Sequence, residues 1–170
     1  MLEPSQVPLP VAPKEPIRID PEAESTLRKN VGESTVPLDG AEPPKVTAMA
    51  LENTARSDAR GMTKEAVRTA TLVEGHRGVM PLALQTSDCV TVIAHGGIGV
   101  AEVDVFLVDP KGGEFRILAQ DDRSGPLGIV GGQRGCFVVL GEPIPAAELW
   151  VQARQGSGSV VVGVYRAPRL

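Results

Sequence analysis

Few residues in this 170-residue sequence combine the types and spacing that catalysis or metal binding needs. Its two histidines, His76 and His95, lack metal-ligand spacing to a cysteine, to an aspartate or to each other. No serine lies in a G-x-S-x-G motif, and neither cysteine has a catalytic signature around it. Because no nucleophile–base pair or ligand cluster can be named, the sequence predicts that this protein is not an enzyme.

The two cysteines, Cys89 and Cys136, each open a predicted β-strand. We predict a disulfide between them, which would stabilise the fold by roughly 4 kcal/mol through chain entropy. A disulfide would also place the protein in an oxidising compartment. Two buried free thiols are the alternative, since unpaired cysteine is a common core residue.

Four aspartates lie near predicted strand ends and turns: Asp104, Asp109, Asp121 and Asp122. Calcium takes about six to eight oxygen ligands, and the D-D-R-S-G loop offers carboxylates, a hydroxyl and carbonyls. Asp121 and Asp122 are therefore the candidate Ca²⁺ ligands, and Ca²⁺ is the one cofactor that the sequence suggests. The alternative is that these aspartates are turn residues on a solvated loop.

Two glycine-rich stretches lack the context of a nucleotide-binding loop. Residues 95–99, H-G-G-I-G, lead into a predicted strand at 101–109, whereas a dinucleotide-binding loop leads into a helix. Residues 125–135 lack the Lys-Ser/Thr pair of a phosphate loop. Neither stretch predicts a nucleotide site.

Trp150 is the candidate interface residue. It alternates with Leu149 and Val151 in a predicted strand, so its side chain points to the other side of that strand. If that side faces solvent, Trp150 is an exposed anchor for a partner. A tryptophan buried in a core is the alternative.

The elements that position these residues are mostly strands. From residue 64 onwards apolar and polar residues alternate, and turn residues recur about every 8 to 12 positions. The predicted strands cover residues 66–73, 76–85, 88–94, 101–109, 114–120, 134–140, 147–154 and 159–166. No helix separates them, which disfavours a parallel βαβ architecture. Residues 64–170 are therefore predicted to form an all-β, jelly-roll-like antiparallel β-sandwich of about eight strands.

The first 45 residues differ from the rest of the chain. Nine of the 15 prolines lie there, and no aromatic residue does. Such a segment buries too little apolar surface to offset its ordering entropy, and proline favours extended geometry. Residues 1–45 are predicted to be a proline-rich arm that tethers the domain or lies along a partner. A tail without a role is the alternative.

One short helix is predicted between the arm and the sandwich. In residues 46–60, Ala48, Leu51 and Ala55 line one face, so residues 46–63 form a helix and connector that packs on the sandwich. Residues 21–30 also have helical features, with Pro21 in the first position and glutamates in the first turn.

Charge and hydropathy limit the classes of partner. A net charge of −4 argues against nucleic acid, and no apolar run approaches the roughly 18 residues needed to span a membrane. The first residues, M-L-E-P-S-Q-V-P-L-P, lack the features of a signal peptide. Two interpretations stay open: a cytoplasmic protein, or one whose signal or lipid anchor was removed upstream. We favour the second, which gives a periplasmic, outer-membrane-associated or secreted location.

The order of short motifs resembles one family of bacterial domains. The motifs are C-V-T-V-I-A-H-G-G at 89–97, E-V-D-V-F-L-V-D-P-K-G-G at 102–113, L-A-Q-D-D-R-S-G at 118–125, a second cysteine, and A-E-L-W-V-Q-A-R-Q-G-S-G-S-V-V-V-G-V-Y at 147–165. Together they resemble the pre-peptidase C-terminal (PPC) type of β-sandwich, in the cysteine-containing form of secreted myxobacterial proteins. The chain departs from that pattern at Val90, where an aromatic residue is usual. The resemblance implies a secreted or envelope accessory module without activity of its own, which binds polymers or proteins.

Two functional hypotheses follow. The first is a non-enzymatic interaction module of the bacterial envelope or secreted space, an accessory subunit that docks on a larger assembly through its arm and sandwich surface. The second is a Ca²⁺-dependent polymer- or carbohydrate-binding module. With one Trp and one Tyr, the chain has little to stack on sugars, so the first hypothesis, with a protein partner, is preferred.

Overall fold

A computed structural model describes residues 20–30, 35–121 and 123–168. This part of the chain contains ten strands and two helices. The helices are α1 (Pro21–Lys29) and α2 (Lys45–Asp58). The strands are β1 (Thr35–Pro37), β2 (Thr63–Leu72), β3 (Arg77–Pro81), β4 (Asp88–Gly96), β5 (Val100–Lys111), β6 (Glu114–Gln120), β7 (Leu127–Val130), β8 (Phe137–Val138), β9 (Glu148–Gly156) and β10 (Gly158–Pro168).

The strands form two facing sheets. One has the order β1-β3-β9-β5-β6, and the other has the order β2-β10-β4-β7 with the short β8 paired to β4. If β1 and β8 are set aside, every connection except the β5–β6 hairpin crosses from one sheet to the other, as in a jelly roll. The predicted all-β, jelly-roll-like sandwich is confirmed.

The two strands beyond the predicted eight are β1 and β7. Strand β1 lies in the predicted arm, and β7 lies between the predicted strands at 114–120 and 134–140. With four residues, β7 is too short to show a period of two. Strand β8 is shorter than predicted because a 3-10 turn, Gly132–Arg134, comes just before it.

Alternation along the strands creates an inner and an outer layer of apolar side chains. On β5, Val103, Val105 and Leu107 point into the core between the sheets, whereas Phe106 and Val108 point outwards. Because the chain has few aromatic residues, the inner core is built mainly from valine, leucine and alanine. The outer faces also carry apolar side chains, and each therefore needs a cover.

The two helices supply these covers. Helix α2 lies on β4 and β10, where Leu51 packs against Ile93 and Val161. Helix α1 lies on the outer face of the other sheet through Ala23 and Leu27. Complete burial of one leucine contributes about 2 kcal/mol, so each helix is held by a small number of apolar contacts.

The N-terminal elements are attached to the sandwich. Asp20 caps α1 by accepting a hydrogen bond from Glu22 N at 2.9 Å. Strand β1 pairs in parallel with β3, and Asp39 forms a bridge to Thr69 in the other sheet. These segments belong to the predicted arm, of which residues 1–19 lie outside the described residues. The predicted domain boundaries, 1–45, 46–63 and 64–170, stay predictions.

Candidate interaction surface

Three turns meet at one end of the sandwich, at residues 73–76, 97–99 and 156–158. In the turn between β4 and β5, Val100 N donates a hydrogen bond to Gly97 O at 3.2 Å. Gly99 has a φ of 94°, and the third position of a type II turn requires such a positive φ. Ile98 therefore lies at the tip of a tight reversal.

The turn between β9 and β10 holds this tip in place. Gly97 N donates to Ser159 O at 2.7 Å, and Ser157 N donates to Gly99 O at 3.0 Å. A Cβ atom on Gly156 would overlap the carbonyl oxygen of Gly99. Because the two backbones are in contact and hydrogen-bonded, the tip has a fixed conformation.

Glu74 connects the turn at 73–76 to the same unit. Glu74 N donates to Ser157 Oγ at 2.8 Å, and Gly156 N donates to the Glu74 carboxylate at 2.8 Å. Next to it, Ala153 N donates to His76 O at 3.1 Å. The three turns thus form one hydrogen-bonded unit, and the backbone of His76 is part of it.

Apolar side chains emerge from this rigid end. Ile98 is fully exposed, and Val73, which follows β2, is more than half exposed. The first turn of α2 adds Val46, which is 80% exposed, and Met49, which is 65% exposed. We call these four residues the apical surface.

The fold places these four residues at the same end of the sandwich. Thr47 of α2 lies close to Gly97, since a Cβ atom on Gly97 would come within 3.6 Å of Thr47 Oγ1, and the start of α2 is therefore at the end of the sandwich that carries Ile98. The last residue of β2 pairs with Gly158, which places Val73 at the same end. Single exposed apolar residues are ordinary on protein surfaces, but four of them at one rigid end make this end a candidate interaction surface.

Cys89 and Cys136 form a disulfide. Their Cα atoms are 5.3 Å apart, and both residues are buried. The bond joins β4 to the loop before β8, at the opposite end of β4 from the apical surface. The predicted disulfide is confirmed, and its position makes it a covalent brace rather than part of the interaction surface.

Asp121 is a buried carboxyl at the end of β6. Its Oδ1 accepts a hydrogen bond from Val105 N at 2.7 Å, and its Oδ2 has no hydrogen-bond partner among the described residues. Burial, and then the nearby Asp104 carboxylate, raise the pKa of Asp121 to about 8. Asp122, the second predicted Ca²⁺ ligand, lies outside the described residues.

Asp104 lies beneath α1 in a cluster of charged side chains. Its carboxylate accepts from Gln152 Nε2 at 2.7 Å and lies 3.2 Å from Arg154 Nε. Burial raises the pKa of Asp104 to about 6. Arg154 also pairs with Glu102 at 2.9 Å and with Asp20 at 3.4 Å, which ties α1 to the sheet. An open cleft of about 500 Å³ beside Arg154 is lined mostly by residues of α1.

Asp109 lies apart from the other acids, near the end of β5. Its carboxylate is 3.6 Å from an Arg116 nitrogen and 3.9 Å from Lys111 Nζ. Across residues 20–30, 35–121 and 123–168, no three His, Cys, Asp or Glu residues form a group that holds a metal ion. The Ca²⁺ site at Asp121 and Asp122 stays a prediction, because one of its two ligands lies outside these ranges.

Trp150 is covered by α1, so it is not an exposed anchor. Only 8% of its surface is accessible, and it packs with Leu27 and Val108. The Phe115 ring lies 4.8 Å from the Trp150 ring, and the Arg77 guanidinium lies 4.6 Å from it on a cation–π contact. Of the two alternatives for Trp150, the buried one is observed, because helix α1, distant in sequence, converts this outer face into a second small core.

His95 packs under α2. Its Nε2 lies 2.7 Å from Thr54 Oγ1, and burial lowers its pKa. Its hydrogen-bond partner is a hydroxyl of the covering helix, so His95 serves to attach α2 to β4.

None of the four apical residues is a candidate functional residue from the sequence alone. One feature of the sequence indicates that Ile98 is exposed: it stands between glycines in H-G-G-I-G, outside any predicted strand or helix. The position of Val46 and Met49 at the same end as Ile98 could not be predicted from the sequence, because it depends on how α2 packs across β4.

The comparisons with known proteins identify no family. No protein-family model matches this sequence, and no curated protein matches it. The resemblance to PPC-type sandwiches therefore stays a prediction from the motifs. Neither helix of the described residues is long and apolar enough to cross a lipid bilayer.

Proposed function

We propose that this chain is a non-enzymatic interaction module of the bacterial envelope or secreted space, an accessory subunit that docks on a larger protein assembly. The observation that carries the proposal is Ile98, which is fully exposed on a turn fixed by two other turns. A rigid apolar tip loses little conformational entropy on binding, which favours association. An apolar pocket on a protein partner is its natural complement.

Two observations support the compartment. Disulfides persist in the periplasm and outside the cell, where thiols are not kept reduced. The motifs shared with PPC-type domains point to the same periplasmic, outer-membrane-associated or secreted locations. In this proposal the arm, residues 1–45, tethers the sandwich or lies along the partner, with residues 20–30 and 35–39 attached to the sandwich itself.

The free energy of apolar burial, compared with the cost of association, indicates that the apical surface alone does not make a tight complex. Complete burial of four Val, Ile or Met side chains contributes about 6–12 kcal/mol. Association costs about 4–15 kcal/mol in lost translational and rotational freedom. The surplus is small, so a stable complex needs contacts beside the apical surface.

Quantitative capture tests the proposal. Immobilised wild-type chain, Ile98→Asp and Leu140→Asp are incubated with envelope and secreted fractions of the source cells, and bound proteins are measured by mass spectrometry. Leu140 is a matched control because it is 78% exposed and lies at the disulfide end of the sandwich. We expect Ile98→Asp to reduce the enriched proteins about ten-fold or more, because a buried unpaired carboxylate is costly. Leu140→Asp should retain them.

Equal capture by all three proteins would contradict the proposal. Circular dichroism and urea unfolding of each variant separate a loss of binding from a loss of fold.

A further inference from the structure

Helix α2 presents a line of exposed residues that the core does not use. Val46, Met49, Asn53 and Arg56 follow one another at spacings of three and four, so they lie on one side of the helix. All four are exposed, whereas Leu51 on the other side is buried. At 1.5 Å per residue the line is about 15 Å long. It begins at the apical surface, to which Val46 and Met49 belong.

The far end of this line carries unpaired positive charge. Arg56 in the last turn of α2 and Arg60 in the following turn are exposed, and neither side chain forms an ion pair or hydrogen bond within the described ranges. Asp58, which lies between them in the sequence, is buried and 3.6 Å from an Arg123 nitrogen. This end of α2 is therefore positively charged, although the chain as a whole has a net charge of −4.

We infer that α2 and the apical surface together receive an amphipathic helix of a protein partner, with its apolar end on the apical surface and its acidic end against Arg56 and Arg60. The inference rests on the proposed function and names the chemistry of the partner. Spacings of three and four are those of a helix–helix seam, in which a central polar residue such as Asn53 sets the register.

Arg56 and Arg60 supply binding free energy beyond that of the apical surface. Acidic side chains opposite two arginines steer the encounter and fix the direction of the docked helix. Charge-assisted hydrogen bonds to guanidinium groups add to the small surplus from apolar burial.

Two other occupants fit the surface less well. An anionic membrane attracts basic amphipathic helices, but the net charge of −4 opposes approach of this chain to such a surface. A second copy offers the acids Glu22 and Glu24 on α1. However, the apolar residues of α1, Ala23 and Leu27, are buried against their own sheet and are not free to pack on α2.

Charge reversal tests the inference in the full-length chain. Arg56→Glu/Arg60→Glu is compared with Lys29→Glu/Lys111→Glu, which makes the same change in net charge at two exposed lysines elsewhere. We expect the arginine variant to reduce capture about ten-fold at low salt and to reverse its dependence on salt, because attraction becomes repulsion, which salt screens. The lysine variant should stay within about two-fold of wild type.

A photo-crosslinking amino acid at position 53 identifies the segment of the partner that contacts α2. Mass spectrometry should identify a segment of another protein with apolar residues at spacings of three and four and with Asp or Glu at one end. The inference would be overturned if the crosslinked segment were basic or uncharged, or if the crosslink joined two copies of this chain. It would also be overturned if the wild-type chain sedimented with phosphatidylglycerol vesicles and the arginine variant did not. Capture that Ile98→Asp removes and Arg56→Glu/Arg60→Glu leaves intact would also overturn it, while the proposed function would stand.

Discussion

Asp104 on β5 and Asp121 just after β6 are buried carboxyls, and burial is the main cause of their raised pKa values, about 6 and about 8. In an unfolded chain an aspartate loses its proton near pH 4, roughly. Between these values unfolding releases protons, so a rise in pH favours the unfolded chain. The stability linked to these protons is complete below about pH 4 and is lost as the pH rises through the two folded pKa values.

Asp121→Asn should remove the upper part of this pH dependence. Asparagine keeps an acceptor for Val105 N but does not titrate. Between pH 6.5 and 8, roughly, we expect wild type to lose about 1 kcal/mol of unfolding free energy per pH unit and the variant to stay nearly constant. Urea unfolding at several pH values measures the slope. Asp104→Asn is the control, since it should change the pH dependence of the unfolding free energy mainly below about pH 6. If Asp121→Asn kept the steep slope of wild type between these pH values, Asp121 would not be its source.

At the scale of elements, the two helices decide which parts of the sandwich remain available for contacts. Helix α1 covers Trp150 and removes it from the surface, whereas α2 brings Val46 and Met49 to the turn that carries Ile98. The strands supply a rigid frame, and the interaction surface arises where a helix end meets strand connections. This surface therefore depends on close contact between backbones in the turns.

Gly156→Ala and Gly113→Ala test this contact between backbones. The two glycines have nearly equal φ values, 83° and 82°, but only Gly156 lies against another backbone. The positive φ costs an alanine about 1–2 kcal/mol at either position. We expect Gly156→Ala to cost about 2 kcal/mol more than Gly113→Ala, because Gly99 and its turn must move. Urea unfolding measures the difference.

Partner capture provides the second measurement on the same pair of variants. Gly156→Ala displaces the turn of Ile98 and should reduce capture, whereas Gly113→Ala in the β5–β6 hairpin should not. Equal stability and equal capture would show that the apical turns are not in the close contact described above.

At the scale of the whole molecule, the disulfide acts through the unfolded chain. Cys89 and Cys136 are separated by 47 residues in sequence, and closure of a loop of this length removes about 4 kcal/mol of chain entropy from the unfolded state in the chain-entropy model. The jelly roll depends on pairing between distant segments, such as β2 with β10. A covalent link therefore stabilises a topology whose contacts are mostly long-range.

Cys89→Ala/Cys136→Ala should lower the free energy of unfolding by about 2–4 kcal/mol. Capture by the folded variant should be unchanged, because the disulfide and the apical surface lie at opposite ends of β4. Urea unfolding and capture at a temperature where the variant is folded measure the two quantities. A folded variant that no longer captures partners would contradict this separation of brace and surface.

Much of the fold could be predicted from neighbours in the sequence. Alternation along β5, with Val103 and Val105 on one side and Phe106 on the other, predicts a strand with two apolar faces. Strand β7 could not be predicted in the same way, because four residues give no period. The disulfide was predictable since each cysteine stands at the start of a strand, although two free thiols were equally compatible with the local pattern.

By itself the sequence determined the class of fold and the absence of a recognisable catalytic motif, since these follow from local period, turn residues and residue type, whereas the pairing of Cys89 with Cys136 was decided by the tertiary structure. Only the tertiary structure decided that Trp150 is buried and that Ile98, Val46 and Met49 are exposed at the same end of the sandwich. The physical reason is that exposure of an outer face depends on which distant segment packs on it. Helix α1 covers one face, α2 covers the other, and the uncovered end of the sandwich is left to make contacts.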